Sequence, residues 1–176
     1  MIFHETALEG AYLIEPEYKE DERGFFARVL CKKEFNEHVL ISDFVQCNIS
    51  FNHSKGTLRG IHYQISPYEE VKIVRCTMGI IYDVIIDLRP NSRSYKMWFS
   101  TELSSENRMM IYIPEGFAHG FLTLTDNTEV YYQMSEYYMP GYDCGIRWND
   151  PEFNIKWISD VAVISEKDSK YPLWKR

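Results

Sequence analysis

Most of the chain reads as short segments in which apolar and polar residues alternate, separated by glycine, proline, asparagine and aspartate. Alternation with a period of two is typical of strands that bury one face, and the separating residues are those that form turns. Strands that follow one another closely, without long helices between them, predict an all-β fold built as an antiparallel sandwich or barrel.

Four of these segments are predicted to form two strand pairs. Residues 70–76 and 80–90 flank a short glycine-containing turn and predict a hairpin. Residues 108–116 and 118–127 predict a second pair, and a further strand follows at 129–138.

Residues 31–40, CKKEFNEHVL, form the best helix candidate, because Phe35 and Val39 have the i, i+4 spacing of one helix face. We find no internal repeat, low-complexity tract or linker in the sequence. Residues 1–176 therefore predict a single domain, and the length suits one sizeable core.

The net charge of −7 argues against a protein that acts on nucleic acid, although a basic pocket within an acidic surface is compatible with it. No apolar run approaches membrane-spanning length, and the first residues do not form a basic region followed by an apolar one. The four cysteines are scattered without a C-x-x-C pair. These features predict a soluble cytoplasmic protein with reduced thiols and no membrane partner.

The segment FVQCNISF, residues 44–51, reads as a strand with two different faces. Gln46, Asn48 and Ser50 share one face, and the residues between them are apolar. The polar face either lies in solvent or lines a barrel wide enough to hold a ligand.

Two histidines lie beside glycines, His62 in KGTLRGIHYQ and His119 in PEGFAHGF. Glycine next to a polar residue often marks a bulge or a close approach of the backbone to a ligand. On this pattern alone each of the two is either structural or catalytic. The other three histidines are in contexts typical of the surface: His4, His38 and His53.

The same segment disfavours a metal site. Small β-barrels that bind metals usually present two histidines one residue apart, but Gln64 occupies the second position here, and a neutral amide is a poor ligand for a transition metal. The sequence also lacks a G-x-S-x-G elbow and a phosphate-binding glycine loop. It retains a set suited to proton transfer, namely histidines, many tyrosines, and basic residues that can hold an anion.

Four segments, EDERGFFARVL, GTLRGIHYQ, IPEGFAHGF and GIRWNDPEFNIKW, resemble in sequence and order the dTDP-4-dehydrorhamnose 3,5-epimerase family. The resemblance implies a jelly-roll barrel of the cupin type with short peripheral helices, without metal or cofactor, that forms a homodimer by sharing strands. It implies epimerisation of a nucleotide-linked 4-keto-6-deoxy sugar for cell-surface deoxysugars, with dTDP-4-dehydro-6-deoxyglucose becoming dTDP-4-dehydrorhamnose.

The resemblance also assigns roles in proton transfer. His62 matches the family's base, and Asp168 matches the carboxylate that orients it. Lys72 and His119 match groups beside the oxygen of the enolate, and Tyr132 matches the acid that returns a proton from the opposite face. A 4-keto group acidifies the protons on both neighbouring carbons, so an imidazole is a strong enough base.

Six positions match contacts with the nucleotide sugar: Gln46, Asn48, Arg59, Tyr138, Asp143 and Lys167. The first three correspond to places that hold the diphosphate and the sugar, and Tyr138 corresponds to an aromatic residue that stacks on the base. The match at Gln46 and Asn48 favours an interior position for the polar face of residues 44–51.

Three further matches lie near the N-terminus, where Arg23 and Phe26 correspond to residues that meet the nucleotide, partly across the dimer. Arg28 stands where the family usually has a glutamate, so one charge at the nucleotide is reversed. Asp143 stands for a common glutamate and is one methylene shorter. These departures leave open a cytidine or guanosine diphosphate sugar.

Arg59 and His62 are three residues apart and would face opposite sides of a regular strand, yet the family places both on the ligand. We therefore predict a bulge or kink near Gly60 that turns both side chains inward.

The sequence leaves other functions open. A 3-epimerase or a keto-isomerase could use a similar barrel, but the presence of both His62 and Tyr132 favours epimerisation. Which of carbons 3 and 5 is inverted stays open. A barrel that binds sugar nucleotides without turnover would be expected to lack the base or the acid. A purely structural barrel would leave Arg59, Lys72 and His119 unexplained.

Overall fold

The computed structural model describes residues 1–174, so positions 175 and 176 of the predicted domain lie outside the described residues. That part of the chain forms fourteen strands and two short helices. Their bounds are β1 Ile2–Glu5, β2 Tyr12–Glu15, β3 Tyr18–Asp21, β4 Gly24–Ala27, α1 Lys32–Glu37, β5 Gln46–Asn52, β6 Thr57–Gln64, β7 Lys72–Met78, β8 Ile80–Asp87, β9 Trp98–Ser104, β10 Met110–Ile113, β11 Phe117–Thr123, β12 Thr128–Met134, β13 Asp143–Gly145, β14 Val163–Ile164 and α2 Glu166–Ser169.

Two large sheets face each other. The first has the strand order β1-β2-β10-β7-β12-β5, and the second has the order β13-β6-β11-β8-β9 with β14 added beside β6. The hairpin β3–β4 forms a separate sheet. From β5 to β8 and from β9 to β13, consecutive strands alternate between the two sheets, which confirms the predicted all-β jelly-roll architecture.

The two strand pairs predicted from the turn signals are wrong. β7 pairs with β10 and β12 in the first sheet, whereas β8 pairs with β9 and β11 in the second. Only Gly79, with a φ of 79°, separates β7 from β8, and one residue is too short for a hairpin loop. β10 and β11 also lie in opposite sheets. Turn residues marked the ends of the strands correctly, but burial between two layers decided their partners.

The helix predicted for residues 31–40 is confirmed as α1, although it is shorter. Phe35 is fully buried and packs edge-on against Phe3 with ring centroids 5.4 Å apart. Val39 does not share this face, because it follows the helix with a φ of 58° and is 92% exposed. No helix within residues 1–174 is long and apolar enough to span a membrane.

The core lies between the sheets, and a second apolar layer covers the outside of the second sheet. Ile81 and Ile85 of β8 point into the first layer, and Tyr82, Val84 and Ile86 point into the second. The chain after β13 supplies the cover, including these side chains: Phe153, Ile155, Trp157 and Ile164. This covering segment ends in α2, which it brings beside β6.

β6 contains the predicted bulge. Arg59 pairs with Phe121 and His62 pairs with His119, so three steps along β6 match two steps along β11. Gly60 occupies the bulge with a φ of 124°, a conformation that favours glycine. Arg59 and His62 both line the same interior cavity, and the prediction of an inward turn is confirmed.

We expect Gly60→Ala to destabilise the fold strongly. A Cβ at this position would lie 2.6 Å from the Cα of Gly120, so the two backbones would have to move apart. Gly24 has the same φ of 124°, but a Cβ there would meet nothing within 4 Å, so Gly24→Ala is a matched control for backbone strain alone. In urea unfolding, Gly60→Ala should lose at least about 2 kcal/mol more than Gly24→Ala. Equal losses of unfolding free energy in the two variants would show that the contact between Gly60 and Gly120 is not tightly packed.

Candidate active site

A cavity of about 570 Å³ lies between the two sheets. Polar side chains reach it from five strands and from the chain that follows β12. Ten residues that the sequence singled out line it: Gln46, Asn48, Arg59, His62, Lys72, His119, Tyr132, Tyr138, Asp143 and Lys167.

His62 and Asp168 form a hydrogen-bonded pair at one wall. The Nε2 atom of His62 lies 2.8 Å from Oδ1 of Asp168, while Oδ2 accepts a hydrogen bond from the backbone N–H of Gly60 at 3.0 Å. Ser165 caps α2 by accepting a hydrogen bond from the Asp168 N–H, which fixes the carboxylate in place. Asp168 is 5% exposed, so these bonds replace hydrogen bonds to water and hold the carboxylate in position.

The surroundings of Asp168 keep it ionised. Burial by itself would raise the pKa of this carboxyl, but the hydrogen bond and charge of His62, together with the N–H of Gly60 and the Ser165 side chain, lower the pKa below its ordinary value. A fixed carboxylate favours one orientation of the imidazole and stabilises it when it accepts a proton.

A second histidine–aspartate pair lies on the adjacent strands of the same sheet. Nε2 of His119 lies 2.7 Å from Oδ2 of Asp83, which is fully buried. The other oxygen, Oδ1, has no hydrogen-bond partner among residues 1–174. His119 is directly opposite His62 in the β6–β11 ladder, so the two pairs stand side by side.

The opposite wall belongs to the first sheet. Asn48 of β5 is directly across from Tyr132 of β12, which in turn pairs with Val74 of β7. Burial raises the pKa of the Tyr132 phenol; the positive charge of Arg59 opposes this rise, and the negative charge of Glu70 adds to it. The phenol is therefore kept in its protonated form, which can donate a proton.

Hydrogen bonds between neighbouring groups hold the polar side chains at this wall in place. The amide of Gln46 donates to Oδ1 of Asn48, and its oxygen accepts from the N–H of Tyr138. Arg59 donates to Oδ1 of Asn52 at 2.7 Å and to the carbonyl of Phe51. These partners of Arg59 are neutral, so its positive charge is available to an anionic ligand.

The rim of the cavity carries a charged pair and an aromatic side chain. Nζ of Lys167 lies 2.5 Å from Oδ2 of Asp143. This pairing and the N–H of Gly141 lower the pKa of the Asp143 carboxyl. Tyr171 lies edge-on to His62 with ring centroids 5.7 Å apart, and it covers Gly145 so closely that a Cβ there would meet its ring at 2.3 Å.

Comparison with known proteins assigns this arrangement to a family. The family model for dTDP-4-dehydrorhamnose 3,5-epimerase matches residues 5–176. The protein of that name from Methanothermobacter thermautotrophicus is 46% identical over 172 residues, covering 96% of this chain and 92% of that protein. A crystal structure of dTDP-4-dehydrorhamnose 3,5-epimerase from Elizabethkingia anophelis superposes with a TM-score of 0.96 at 38% identity, covering 99% and 96% of the two chains.

This chain belongs to the dTDP-4-dehydrorhamnose 3,5-epimerase family. A further crystal structure, of dTDP-6-deoxy-D-glucose-3,5-epimerase from Legionella pneumophila in complex with dTDP-4-keto-L-rhamnose, has a TM-score of 0.90 at 36% identity, covering 98% and 92% of the chains. The resemblance predicted from four motifs is confirmed, and with it the assignment to the isomerases that epimerise nucleotide-linked sugars.

Three residues that the family resemblance placed at the nucleotide do not line the cavity of this epimerase-family chain. Arg23 pairs with Asp21 at 2.6 Å, and Phe26 is 66% exposed on β4. Arg28 pairs with Glu34 at 2.6 Å. Within a single chain these side chains lie on and beside the β3–β4 hairpin, so their predicted contact with the nucleotide requires a second chain.

Several residues of the epimerase-family cavity and its surroundings were not predicted from the sequence, among them Asp83, Glu70 and Tyr171. Asp83 had a visible signal, because it is a carboxylate in the middle of the otherwise apolar stretch IIYDVII. Glu70 and Tyr171 had none, because Glu70 stands at the start of the predicted strand 70–76 and Tyr171 lies in a polar segment outside the four motifs. Among the described residues, no three His, Cys, Asp or Glu side chains form a group that could hold a metal ion.

We expect the stability conferred by Asp168 to depend on pH. Its pKa in the folded protein lies below the ordinary 3.8, so its contribution is present above about pH 4 and disappears as the pH falls through the folded pKa. The difference in unfolding free energy between wild type and Asp168→Asn should therefore be largest near neutral pH and should narrow in acid. Urea unfolding across the pH range measures it.

Asp21→Asn is the control for this measurement. The pKa of Asp21 is also lowered, by the hydrogen bonds from Arg23, but this pair is exposed to solvent and contributes little to stability. A difference for Asp168→Asn that stayed constant with pH would contradict the proposed ionised state.

Proposed function

We propose that this protein epimerises dTDP-4-dehydro-6-deoxyglucose at carbons 3 and 5 to give dTDP-4-dehydrorhamnose. The observation that carries the proposal is that one cavity collects the His62–Asp168 pair on one wall and the Tyr132 phenol on the other. Membership of the family supports the reaction and the substrate class.

In the first step, His62 removes a proton from the carbon next to the keto group. Asp168 holds the imidazole and stabilises the positive charge that it gains. The electron pair of the broken C–H bond moves into the keto group, which becomes an enolate oxygen. Lys72 and His119 line the same cavity and stabilise that oxygen by charge and hydrogen bonding.

In the second step, Tyr132 donates its phenolic proton to the same carbon from the opposite face. Inversion follows because the base and the acid lie on walls formed by different sheets. After His62 has released its proton to solvent and Tyr132 has regained one, the same sequence at the other neighbouring carbon completes the double epimerisation. Each general acid or base contributes roughly 10² to 10⁴ in rate.

Arg59, Lys167 and the amides of Gln46 and Asn48 bind the diphosphate and the sugar, and Tyr138 stacks on the base. The charge of Arg59, which has neutral partners here, supports its role toward the diphosphate. Tyr138 is 49% exposed at the rim, with a face open for stacking.

We further propose that the protein acts as a homodimer in the cytoplasm. Apolar side chains are exposed along the edge strand β5, where Ile49 is 65% exposed and Phe51 is 39% exposed, and Phe26 on the β3–β4 hairpin is 66% exposed. Such a patch on a sheet edge favours association with a second chain. A dimer would carry Arg23, Phe26 and Arg28 to the partner's cavity. The free thiols of the four cysteines support a reducing compartment.

We expect the wild-type protein, incubated with its sugar nucleotide in heavy water, to introduce deuterium at carbons 3 and 5, as followed by NMR. His62→Ala should abolish exchange at both carbons, whereas Tyr132→Phe should retain exchange but slow inversion by roughly 10² or more, because the enolate still forms. His4→Ala, which changes an exposed histidine on β1, is the control. Exchange at carbon 3 alone would indicate a 3-epimerase, and undiminished exchange in His62→Ala would refute the assigned base.

Subunit mixing tests the shared site. Co-expressed Arg23→Ala and His62→Ala chains should regain activity, because one cavity of the mixed dimer combines an intact His62 with an intact Arg23 from its partner. Co-expressed His62→Ala and Lys72→Ala chains should not recover, since both residues line the cavity of one chain. If an activity assay gave the same activity for the two mixtures, it would contradict the proposal that the β3–β4 hairpin reaches the partner's cavity.

A further inference from the structure

Glu70 is a buried carboxylate at the cavity wall to which the mechanism above gives no role. Its Oε1 lies 2.5 Å from Nζ of Lys72, and the two side chains are 3% and 11% exposed. The second oxygen, Oε2, is buried without a hydrogen-bond partner in residues 1–174. A buried carboxylate with one bare oxygen is energetically unfavourable, so its retention beside the cavity needs an explanation.

The backbone holds Glu70 firmly relative to Tyr132. Glu70 lies just before β7, and the next residue, Val71, donates its N–H to Oγ of Ser135 and accepts from the N–H of Ser135. These bonds join the start of β7 to the end of β12. Because Tyr132 pairs with Val74, which shares a face with Lys72, the Glu70–Lys72 pair and the phenol lie along one wall.

Glu70 differs from the other carboxylates near the cavity because its partner is a largely buried lysine. Among the carboxylates at the cavity, Asp168 and Asp83 are bonded to histidines, and Asp143 is bonded to Lys167 on the rim. The cations that line the cavity are Arg59 from β6, Lys72 from β7 and Lys167 from α2, and either histidine adds a charge when protonated. Glu115 is a further carboxylate close enough to Glu70 for the two charges to interact.

We propose that Glu70 is a positioning residue for the epimerisation, holding the Lys72 ammonium at the cavity wall and offsetting the positive charge of Arg59 around Tyr132. This inference rests on the proposed function, in which Tyr132 must carry its proton before it can donate it. Surrounded by cations alone, a phenol would lose that proton more readily. The opposed influences of Arg59 and Glu70 on the pKa of Tyr132 agree with this arrangement.

Two substitutions separate the effect of the charge of Glu70 from the effect of its shape. Glu70→Gln keeps a hydrogen-bond acceptor for Lys72 but removes the negative charge. Glu70→Asp keeps the charge on a shorter side chain. Glu69→Gln removes a charge from the neighbouring glutamate, which does not line the cavity, and is the matched control.

The first measurement is the pH dependence of kcat/KM for epimerisation. Loss of the negative charge stabilises the phenolate, so the alkaline limb of Glu70→Gln should move to lower pH by roughly one unit. Glu70→Asp and Glu69→Gln should keep the limb near that of wild type. If Glu70 only filled space, Glu70→Gln would lower kcat/KM without moving its alkaline limb.

The second measurement does not depend on turnover. NMR of protein labelled at the tyrosine ζ carbon follows the titration of Tyr132 directly, and its signal is identified by its absence in Tyr132→Phe. The signal should titrate at lower pH in Glu70→Gln than in wild type. If neither the alkaline limb of kcat/KM nor the Tyr132 signal moves in an active Glu70→Gln variant, the role of Glu70 is refuted, while the proposed function stands. If wild type exchanges no deuterium with the sugar nucleotide, the proposed function fails, and with it the role of Glu70 in this reaction.

Discussion

Where β6 passes β11, the backbones at Gly60 and Gly120 approach so closely that neither position has room for a side chain. This crossing accommodates one extra residue in β6, and the bulge turns both Arg59 and His62 toward the interior. It also directs the N–H of Gly60 at the carboxylate of Asp168. The proposed nucleotide contact, the proposed base and the carboxylate that orients this base therefore depend on one local backbone geometry.

A cavity lined by so many charges is stable because most of them are paired where they are buried. Asp168 and Asp83 each bind a histidine, and Glu70 binds Lys72. The bond between His62 and Asp168 also sets the chemistry of the pair, since it lowers the pKa of the carboxyl and orients the imidazole. Arg59, bound to neutral groups, leaves net positive charge for an anionic substrate.

The alternation of strands between two sheets places the groups proposed to react on opposite walls of the cavity. His62 and His119 belong to the second sheet, and Tyr132 and Lys72 belong to the first. A sugar carbon between these walls can lose a proton to one side, and the planar enolate that results can receive a proton from the other. The outer apolar layer has a separate task, because the chain that forms it delivers Asp168 to His62 across more than a hundred positions of sequence.

The sequence by itself determined the all-β class, the strand ends and the polar face of β5. Through four motifs it also gave the family and, with it, ten of the residues that line the cavity. It also indicated the bulge, because the side chains of Arg59 and His62 could not otherwise share a face. Only the tertiary structure decided which strands pair, since turn residues mark where a strand ends but burial between layers selects its neighbour. Only it revealed the partners of His119 and Lys72, because alternation reports which face a residue takes and not which side chain from another strand meets it there.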